Sequence, residues 1–347
     1  MGSRGKIGII ACESGRPLAE KISEHLGRRL KKAGKKQCRF QVIDSKETHF
    51  ANGEVKTSLE ISIRGMDIYV IQDPANSVTD YSPDTNLRAL KTAINAARGS
   101  DATNVTAIVP YFPYGRQDRT IGRESRTAGM VLRELEVAGM DRLITLDVHN
   151  SAIANALDSR TGFEDLHASK NILDYLRAKF NIKDFTVVSP DPGASRRCEY
   201  YADVLETDLA MIYKRREYDD GGKISKVVLL GDVEGKDALL VDDMIDSAGT
   251  AVKACQLVKS HGAKRVLFAT SLPIFSDPAI ERLTTAHTEG SLDLVLGTNA
   301  IYHGGDEFRE ANSWYREVNI AGYIAKVIYN INHTKSISEL LEEEKRK

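Results

Sequence analysis

The stretch "ALLVDDMIDSAGT", Ala238–Thr250, changes character twice within thirteen residues. An apolar run leads directly into Asp242 and Asp243, and the segment that follows is rich in small and hydroxyl-bearing side chains. An apolar run that ends in acids indicates a buried strand whose carboxyl end reaches water. In open α/β sheets, ligands bind at the carboxyl ends of the strands. The stretch therefore predicts a ligand site at the end of a buried strand.

The segment 246–250 predicts a phosphate-binding turn, because it opens a helical pattern that begins near Thr250. Backbone N–H groups at the start of a helix bind anions, helped by the helix dipole. Gly249 allows close approach of the backbone to a ligand. The two preceding acids would suit sugar hydroxyls or Mg²⁺. The alternative is that Asp246 only caps the helix, as Asp does routinely.

Short apolar runs alternate with amphipathic helical patterns along the rest of the chain. Strands are predicted at "KIGIIA", "DIYVIQ", "NVTAIVPYF", "RLITLDVH", "FTVVSP", "LAMIYK", "KVVLLGD", "ALLVDD", "RVLFATSL" and "DLVLGT". This alternation predicts an α/β fold with mainly parallel sheets flanked by helices. About ten strands in 347 residues favour two domains, divided in the polar segment 157–168. We predict domains at 5–165 and 166–331, followed by a charged tail at 332–347.

The composition excludes several classes of function. The formal net charge of −1 offers no general attraction to nucleic acid or to an anionic membrane. The apolar runs are too short to span a bilayer, and no apolar segment typical of a secretory signal follows the basic start. The four cysteines form no C-x-x-C pair. We therefore expect a cytoplasmic protein with reduced thiols that binds neither nucleic acid nor membrane.

Polar side chains follow three other predicted strands. "PYFPYGRQDR" (110–119) sets Arg116, Gln117 and Asp118 side by side, a group suited to the phosphates and polar edges of a nucleotide. His149 and Asp191 follow strands in the two predicted domains and could share a magnesium-bound nucleotide. The alternatives are a turn held by an internal Arg–Asp pair and a structural histidine.

A basic cluster, "KRR" (214–216), follows another predicted strand and precedes a polar segment that contains glycine. Cations on a loop suit phosphoryl transfer, because the transition state spreads negative charge over phosphate oxygens. A solvated basic turn is the alternative for Lys214 and Arg216.

The string at 241–250 is similar to the phosphoribosyl-diphosphate binding loop of type I phosphoribosyltransferases. All the motifs together resemble the ribose-phosphate diphosphokinase family, also called phosphoribosyl-diphosphate synthetase, from about Lys6 to Ser338. The motifs that carry the resemblance are "HFANGEV" (49–55), "FPYGRQD" (112–118), "DVH" (147–149), "SPD" (189–191), "KRR" (214–216), "GDVEGK" (231–236) and "VDDMIDSAGT" (241–250).

The resemblance implies two domains of the phosphoribosyltransferase type and an active site between them. The family transfers the β,γ-diphosphoryl group of MgATP to the C1 hydroxyl of ribose 5-phosphate and releases AMP, with Mg²⁺ as cofactor. On this chain, Lys214 and Arg216 would stabilise the transferring group, and His149 and Asp191 would bind the metal. The residues implied for ribose 5-phosphate are Asp242, Asp243, Asp246, Ser247, Ala248, Gly249 and Thr250. Those implied for ATP are Phe50, Asn52 and Glu54, from a neighbouring subunit, together with Arg116, Gln117, Asp118 and His149.

The resemblance also implies homo-oligomers built from dimers, with a hexamer expected, activation by inorganic phosphate and allosteric inhibition by ADP. The residues implied for the regulatory site are Ser125, Arg126, Ser336 and Ser338. The chain departs from the family pattern at "DPGASRR" (191–197), where a second glycine is often found. It also has Ala154 where a glutamine is common, and "FEDL" (163–166) in place of an Asp–Asn pair. The changes at Ala154 and 163–166 predict weaker or altered ADP allostery, whereas the one at 191–197 concerns the loop that carries the metal-binding candidate Asp191.

Two alternative functions remain open from the sequence. A salvage phosphoribosyltransferase would share the 241–250 loop, but it would usually be about half this length and would not need the ATP motifs. A catalytically silent regulatory subunit would have lost or interrupted loop residues, whereas Lys214, Arg216 and the two metal-binding candidates are all present.

Overall fold

The structure is a computed structural model that describes residues 3–34, 40–181, 184–219 and 222–338, and at 214–219 and 222–226 it describes the backbone only. The strands are β1 Ile7–Ala11, β2 Phe40–Val42, β3 Ser45–His49, β4 Val55–Leu59, β5 Asp67–Ile71, β6 Asn104–Ile108, β7 Arg142–Leu146, β8 Gly162–Leu166, β9 Phe185–Ser189, β10 Asp208–Asp219, β11 Gly222–Leu230, β12 Asp237–Ile245, β13 Arg265–Pro273, β14 Leu294–Thr298 and β15 Tyr315–Val318. The α-helices are α1 Arg16–Lys32, α2 Pro83–Gly99, α3 Thr127–Ala138, α4 Ser169–Lys179, α5 Ser195–Leu205, α6 Gly249–Ser260, α7 Ala279–Thr288, α8 Asp306–Ala311 and α9 Ala321–Asn332.

The described residues form two compact units. The first unit comprises the described residues within 3–166, 299–304 and 319–338, and the second comprises those within His167–Thr298 and Gly305–Val318. The change at Leu166 falls within the polar segment 157–168. The last helix belongs to the first unit and not to the unit that precedes it in the chain, so each unit is formed from segments that are separate in sequence.

The first unit is built on a six-stranded parallel sheet with the order β2-β1-β5-β6-β7-β8. Its central strands are apolar and fully buried, as "DIYVI" in β5 shows, because helices cover both faces of a parallel sheet. A separate antiparallel hairpin, β3–β4, carries the "HFANGEV" segment.

Helix α9 is fixed to the first unit by buried polar contacts as well as by its apolar face. The Asn332 amide donates to Asp67 Oδ2 at 2.8 Å, and the Tyr69 hydroxyl donates to the same carboxylate at 2.9 Å. Burial raises the pKa of Asp67, and these two donors act in the opposite direction. The chain end is therefore part of the core of the unit in which the chain begins.

The second unit is built on a seven-stranded sheet with the order β11-β10-β9-β12-β13-β14-β15. All neighbours are parallel except β10 and β11, which pair antiparallel at one edge. Strand β12, which contains the "ALLVDD" segment, lies in the middle of the sheet and is buried along most of its length. The expected α/β class with mainly parallel sheets is thus confirmed in both units.

All ten predicted strands coincide with observed ones, but several short strands were missed. Among these is β8, which lies in the segment that the sequence indicates to be a turn-rich break. Its residues are only partly buried at the edge of the sheet, so the apolar pattern is absent there. None of the helices in the described ranges is long and apolar enough to span a bilayer.

Candidate active site

The acidic pair of the opening stretch lies within β12, close to its carboxyl end, and not beyond it. Asp243 is almost fully buried, and Asp242 is partly buried with an oxygen 3.7 Å from the Arg197 guanidinium. Burial, followed by the charge of Asp243, raises the pKa of Asp242 to about 7. A carboxyl group poised in this way gains from any ligand that favours its charged form, such as a sugar hydroxyl or a cation.

The turn 246–250 joins β12 to α6 and has the form of an anion site. Ala248 adopts a left-handed conformation (φ 61°), and Gly249 is the first residue of α6. Ser247 and Thr250 are exposed, and the first turn of the helix contains no acidic residue. The opening N–H groups of a helix have no partner within it, so they can bind phosphate.

Arg282 of α7 supports this turn, a role that no motif in the sequence indicates. Its guanidinium donates to the backbone carbonyl of Ser247 at 2.8 Å. A Cβ at Gly249 would lie 3.3 Å from Arg282 Nη1, closer than ordinary contact. The arginine therefore fixes the turn and adds positive charge beside it.

Asp191 follows β9 in the second unit and uses one oxygen to shape the chain. Its Oδ1 accepts the N–H groups of Gly193 and Ala194 at 2.7 and 3.0 Å, at the start of α5. A Cβ at Gly193 would lie 3.1 Å from that oxygen, which explains the glycine there. Ala194 supplies its N–H without needing to be glycine, so the departure from the family pattern leaves the carboxylate in place. The side chain is exposed, so a ligand can reach it from solvent.

In the first unit, Asp118 and the turn after β7 are joined directly. The Asn150 amide donates to Asp118 Oδ2 at 2.6 Å, and this bond, more than the nearby His149, lowers the pKa of Asp118. Arg116 and Gln117 are exposed beside it, and His149 is also exposed. The structure thus brings the "RQD" motif and the "DVH" motif to one place, as a nucleotide site requires.

Asp165 of β8 holds the turn that carries His149, a role that no motif in the sequence indicates. Its Oδ1 accepts the Val148 N–H at 3.1 Å, and its Oδ2 accepts the Ser151 hydroxyl at 2.8 Å. The neighbouring Glu164 forms an ion pair with Arg142. Both acids of "FEDL" are therefore bound to their own unit.

Phe50, Asn52 and Glu54 lie at the tip of the β3–β4 hairpin, and all three are exposed. Asn52 Oδ1 accepts the Glu54 N–H at 3.1 Å, and Phe50 N–H donates to the Glu54 carbonyl at 2.9 Å. An exposed aromatic ring on a well-formed hairpin is suited to insertion into a partner surface.

Lys214 and Arg216 lie inside β10, which continues to Asp219. The prediction that these residues follow the end of a strand is therefore wrong. Their backbones are opposite Val227 and Ser225 of β11. The side chains on which their expected catalytic role depends lie outside the described part of the structure.

The residues expected at the regulatory site occupy two segments of the first unit. The Ser125 hydroxyl is 2.8 Å from that of Thr127, and Arg126 is the residue before α3. Ser336 accepts the Asn330 amide through its backbone carbonyl at 2.8 Å, and Ser338 lies near the end of the described chain. These four assignments stay predictions.

Two family models match the chain. Residues 7–139 match the N-terminal domain of ribose phosphate pyrophosphokinase, and residues 164–285 match the phosphoribosyl transferase domain. A ribose-phosphate pyrophosphokinase from Staphylococcus saprophyticus is 34% identical over 337 residues, with 96% of each chain covered. One from Synechococcus elongatus is 36% identical, with 84% of each covered. The crystal structure of phosphoribosylpyrophosphate synthetase from Mycobacterium smegmatis superimposes with a TM-score of 0.81 at 30% identity, covering 95% of this chain and 99% of that one.

Fold, motifs and relatives define a protein with two domains of the phosphoribosyltransferase type that carries diphosphotransferase chemistry. The chain belongs to the ribose-phosphate pyrophosphokinase family. It is an enzyme of that family, which confirms the function predicted from its motifs.

Proposed function

We propose that this enzyme joins the C1 hydroxyl of ribose 5-phosphate to the β-phosphorus of MgATP through the residues described above. The hydroxyl oxygen forms a bond to the β-phosphorus and loses its proton, while the bond from that phosphorus to the AMP oxygen breaks. The products are 5-phosphoribosyl 1-diphosphate and AMP. Such an in-line displacement needs little covalent help from the protein and depends on positioning and positive charge.

The arrangement at the end of β12 is the observation that supports this proposal best. Two carboxyl groups, Asp242 and Asp243, are followed after two residues by the turn 246–250, and the first turn of α6 that it opens contains no acid. The 5-phosphate is proposed to accept N–H groups of residues 246–250, and the ribose hydroxyls to donate to the carboxylates. Asp242 would release its proton on binding, because its pKa of about 7 reflects burial without a ligand.

ATP is proposed to bind the first unit through Arg116, Gln117, Asp118 and His149. The Arg116 guanidinium and the Gln117 amide can donate to phosphate and base edges, and Asp118 is kept ionised by Asn150. Phe50, Asn52 and Glu54 are proposed to reach the adenine of a neighbouring subunit, for which their exposed position at a hairpin tip is suitable.

Mg²⁺ fits the donor set only in part. Asp191 has a second carboxylate oxygen besides the one bonded to Gly193 and Ala194, and oxygen is the ligand that Mg²⁺ prefers. The imidazole of His149 is a less usual ligand for this ion, and it can also donate to a phosphate oxygen. When bound, the cation would neutralise phosphate charge. Lys214 and Arg216 are proposed to stabilise the charge that develops on the diphosphoryl group.

The proposal extends to regulation and assembly, which the family resemblance suggests. Inorganic phosphate is expected to activate the enzyme, and Ser125, Arg126, Ser336 and Ser338 are proposed to take part in its regulatory site. We also propose a homo-oligomer built from dimers, with a hexamer as the expected size, that works in the cytoplasm.

The experiment is an incubation of the protein with ribose 5-phosphate and MgATP, with and without phosphate, followed by quantification of the products. AMP and phosphoribosyl diphosphate should appear in a one-to-one ratio. ADP with a singly phosphorylated sugar would identify an ordinary kinase instead. No turnover from well-folded protein would favour the regulatory subunit, and use of phosphoribosyl diphosphate with a free base would favour the salvage enzyme.

A further inference from the structure

Three side chains with metal-binding atoms meet in the first unit at a place to which the proposed function assigns no role. Glu13 lies in the turn between β1 and α1, and Glu47 and His49 lie on β3. One ligand atom from each lies within 4.8 Å of the other two. His49 Nε2 is 2.8 Å from Glu47 Oε1 and 3.9 Å from Glu13 Oε2. These two carboxylates and one imidazole form a Glu–Glu–His cluster.

Two members of the cluster are oriented by contacts other than those between the ligand atoms. The Glu47 side chain is only 9% exposed, and its Oε2 accepts the backbone N–H of Glu13 at 3.0 Å, which directs Oε1 towards the imidazole. The His49 ring stacks on Tyr81, with ring centres 3.9 Å apart and planes 11° from parallel. Such supporting contacts orient the ligands of metal sites in proteins.

No lysine or arginine of the described residues neutralises the negative charge of the two carboxylates. In the ranges that the structure describes, neither carboxylate forms an ion pair with a lysine or arginine, and His49 is the basic group that both face. Arg16 is near enough to act on Cys12 but lies beyond ion-pair distance of the two acids. A bound divalent cation would balance the two carboxylates through nitrogen and oxygen ligands.

The spacing of the ligand atoms suits a small cation. Ligands at about 2.1 Å from a tetrahedral Zn²⁺ lie roughly 3.4 Å from one another. The two measured separations from His49 Nε2 lie on either side of this value. Glu13 is 49% exposed and can close the longer one by a side-chain movement. An imidazole in the set favours Zn²⁺ and similar transition ions over Mg²⁺, which prefers oxygen alone.

We propose that Glu13, Glu47 and His49 bind a divalent transition cation, with Zn²⁺ as the best fit, distinct from the Mg²⁺ that accompanies ATP. Such an ion joins the turn after β1 to the hairpin whose tip carries Phe50, Asn52 and Glu54. It therefore acts as a cross-link between two segments that are far apart in sequence. The site needs no nucleotide, so it can be occupied in the absence of substrate.

The test is calorimetric titration of the full-length, EDTA-dialysed protein with Zn²⁺ alone, without nucleotide and with millimolar Mg²⁺ present. One Zn²⁺ per chain should bind to the wild type, and His49→Gln and Glu47→Gln should each weaken binding by more than about 100-fold, the upper end of the loss seen when only a supporting contact is removed. Glu13→Gln serves as a further variant, because a half-exposed side chain can be replaced without disturbing the fold. The matched control is His261→Gln, which removes an exposed imidazole on the second unit.

A second variant distinguishes this cluster from the proposed nucleotide side. His149→Ala should keep the Zn²⁺ site, because that residue belongs to the nucleotide side. Loss of binding in His149→Ala alone, displacement by millimolar Mg²⁺, or equal binding by every variant would overturn the proposal. Absence of binding to the wild type would also overturn it. None of these results bears on catalysis, because no substrate is present.

Discussion

Two turns in this molecule follow the same path from a strand into a helix, yet one leaves space beside its backbone and the other is packed closely against a neighbouring strand. The turn from β12 to α6 is open: Ser247 and Thr250 are exposed, and the nearest group to Gly249 is the movable guanidinium of Arg282. The turn from β1 to α1 is closed against β5. A Cβ at Gly15 would lie 2.4 Å from the Ile71 carbonyl oxygen.

The difference shows that a strand, a tight turn and a helix do not by themselves make an anion site. In the β1–α1 turn, the Ser14 hydroxyl is bonded to Gln72, and Glu13 contributes negative charge. Each turn contains one acid, Glu13 or Asp246, and neither helix has an acid in its first turn. The β12–α6 turn differs because Ser247 is exposed and its backbone carbonyl accepts the Arg282 guanidinium. Side chains thus decide whether the same backbone path accepts an anion or, as we propose for Glu13, a cation.

The largest expected effect concerns the cations assigned to the second unit. Lys214→Ala or Arg216→Ala should lower kcat by a factor on the order of 10²–10³ while KM changes far less, because the lost charge acts on the transition state. Steady-state kinetics with both substrates provide the measurement. A variant with nearly normal kcat would indicate that the "KRR" cluster is a solvated basic segment and does not take part in catalysis.

The second prediction concerns the acids before the open turn. Asp243→Asn should raise the KM for ribose 5-phosphate roughly 10- to 100-fold, the value of a hydrogen bond to a charged group, with little change in Tm. The substitution preserves shape, so a structural role would be expected to show in the melting curve instead. A large loss of Tm without ligand would mean that the carboxylate serves the fold.

Glycine substitutions test the comparison directly. Gly15→Ala places a methyl group against the backbone of Ile71 and Gln72, which cannot move aside, and should cost about 1–3 kcal/mol of stability or more. Gly249→Ala meets only a flexible guanidinium, so Tm should barely change while the KM for ribose 5-phosphate rises. Chemical denaturation and kinetics on both variants are the measurements. Equal losses of stability would show that the two turns are packed alike.

The pKa of about 7 at Asp242 predicts a pH effect on the same site. The charged form binds better, so the KM for ribose 5-phosphate should fall by up to about 10-fold as pH rises from 6 to 8. The stability of the ligand-free protein responds in the opposite sense to binding: it should fall as pH rises. The unfolded chain releases this proton at lower pH than the native state, so the free energy of unfolding should decrease as pH rises from about 4 to 7. Asp242→Asn is the control, since it should reduce the pH dependence of both quantities relative to the wild type, while the contributions of Asp73 and of the substrate phosphate remain.

The smallest expected effect is on ADP inhibition, at the turn supported by Asp165. Asp165 is engaged by Val148 and Ser151, and Glu164 is paired with Arg142, so neither acid of "FEDL" is released for a ligand. ADP should therefore inhibit mainly in competition with ATP, with a weak allosteric component. Inhibition curves at saturating ATP are the measurement. Strong cooperative inhibition that excess ATP cannot relieve would show an intact allosteric site.

Buried elements were the part of the fold that the sequence predicted well. Strands such as β5 and β12 are apolar on both faces, and that signal is local. Strand β8 and the β3–β4 hairpin are only partly buried, so their sequences carry no clear period, although the "HFANGEV" motif marked the hairpin tip. The extension of β10 through the basic cluster was missed, because charged residues in a two-stranded extension, paired only with β11, resemble those of a loop.

The site was predicted as separate motifs, and the contacts between them were not. The bond from Asn150 to Asp118 spans 32 positions, and that from Arg282 to Ser247 spans 35. Such partners are set by the packing of whole elements, which no local pattern reports. Neither arginine nor asparagine is unusual in its own segment, so nothing in the sequence marked them.

The position of α9 has a consequence for the order in which the chain can fold during synthesis. The first unit contains the opening strand, but its core also needs Asn332, whose amide bonds to Asp67, and Ile328, whose carbonyl accepts the Tyr69 hydroxyl. The second unit ends at Val318, before α9 has been made. A ribosome therefore releases every residue of the second unit before the first unit can be completed, so the half that begins the protein is the last to be finished.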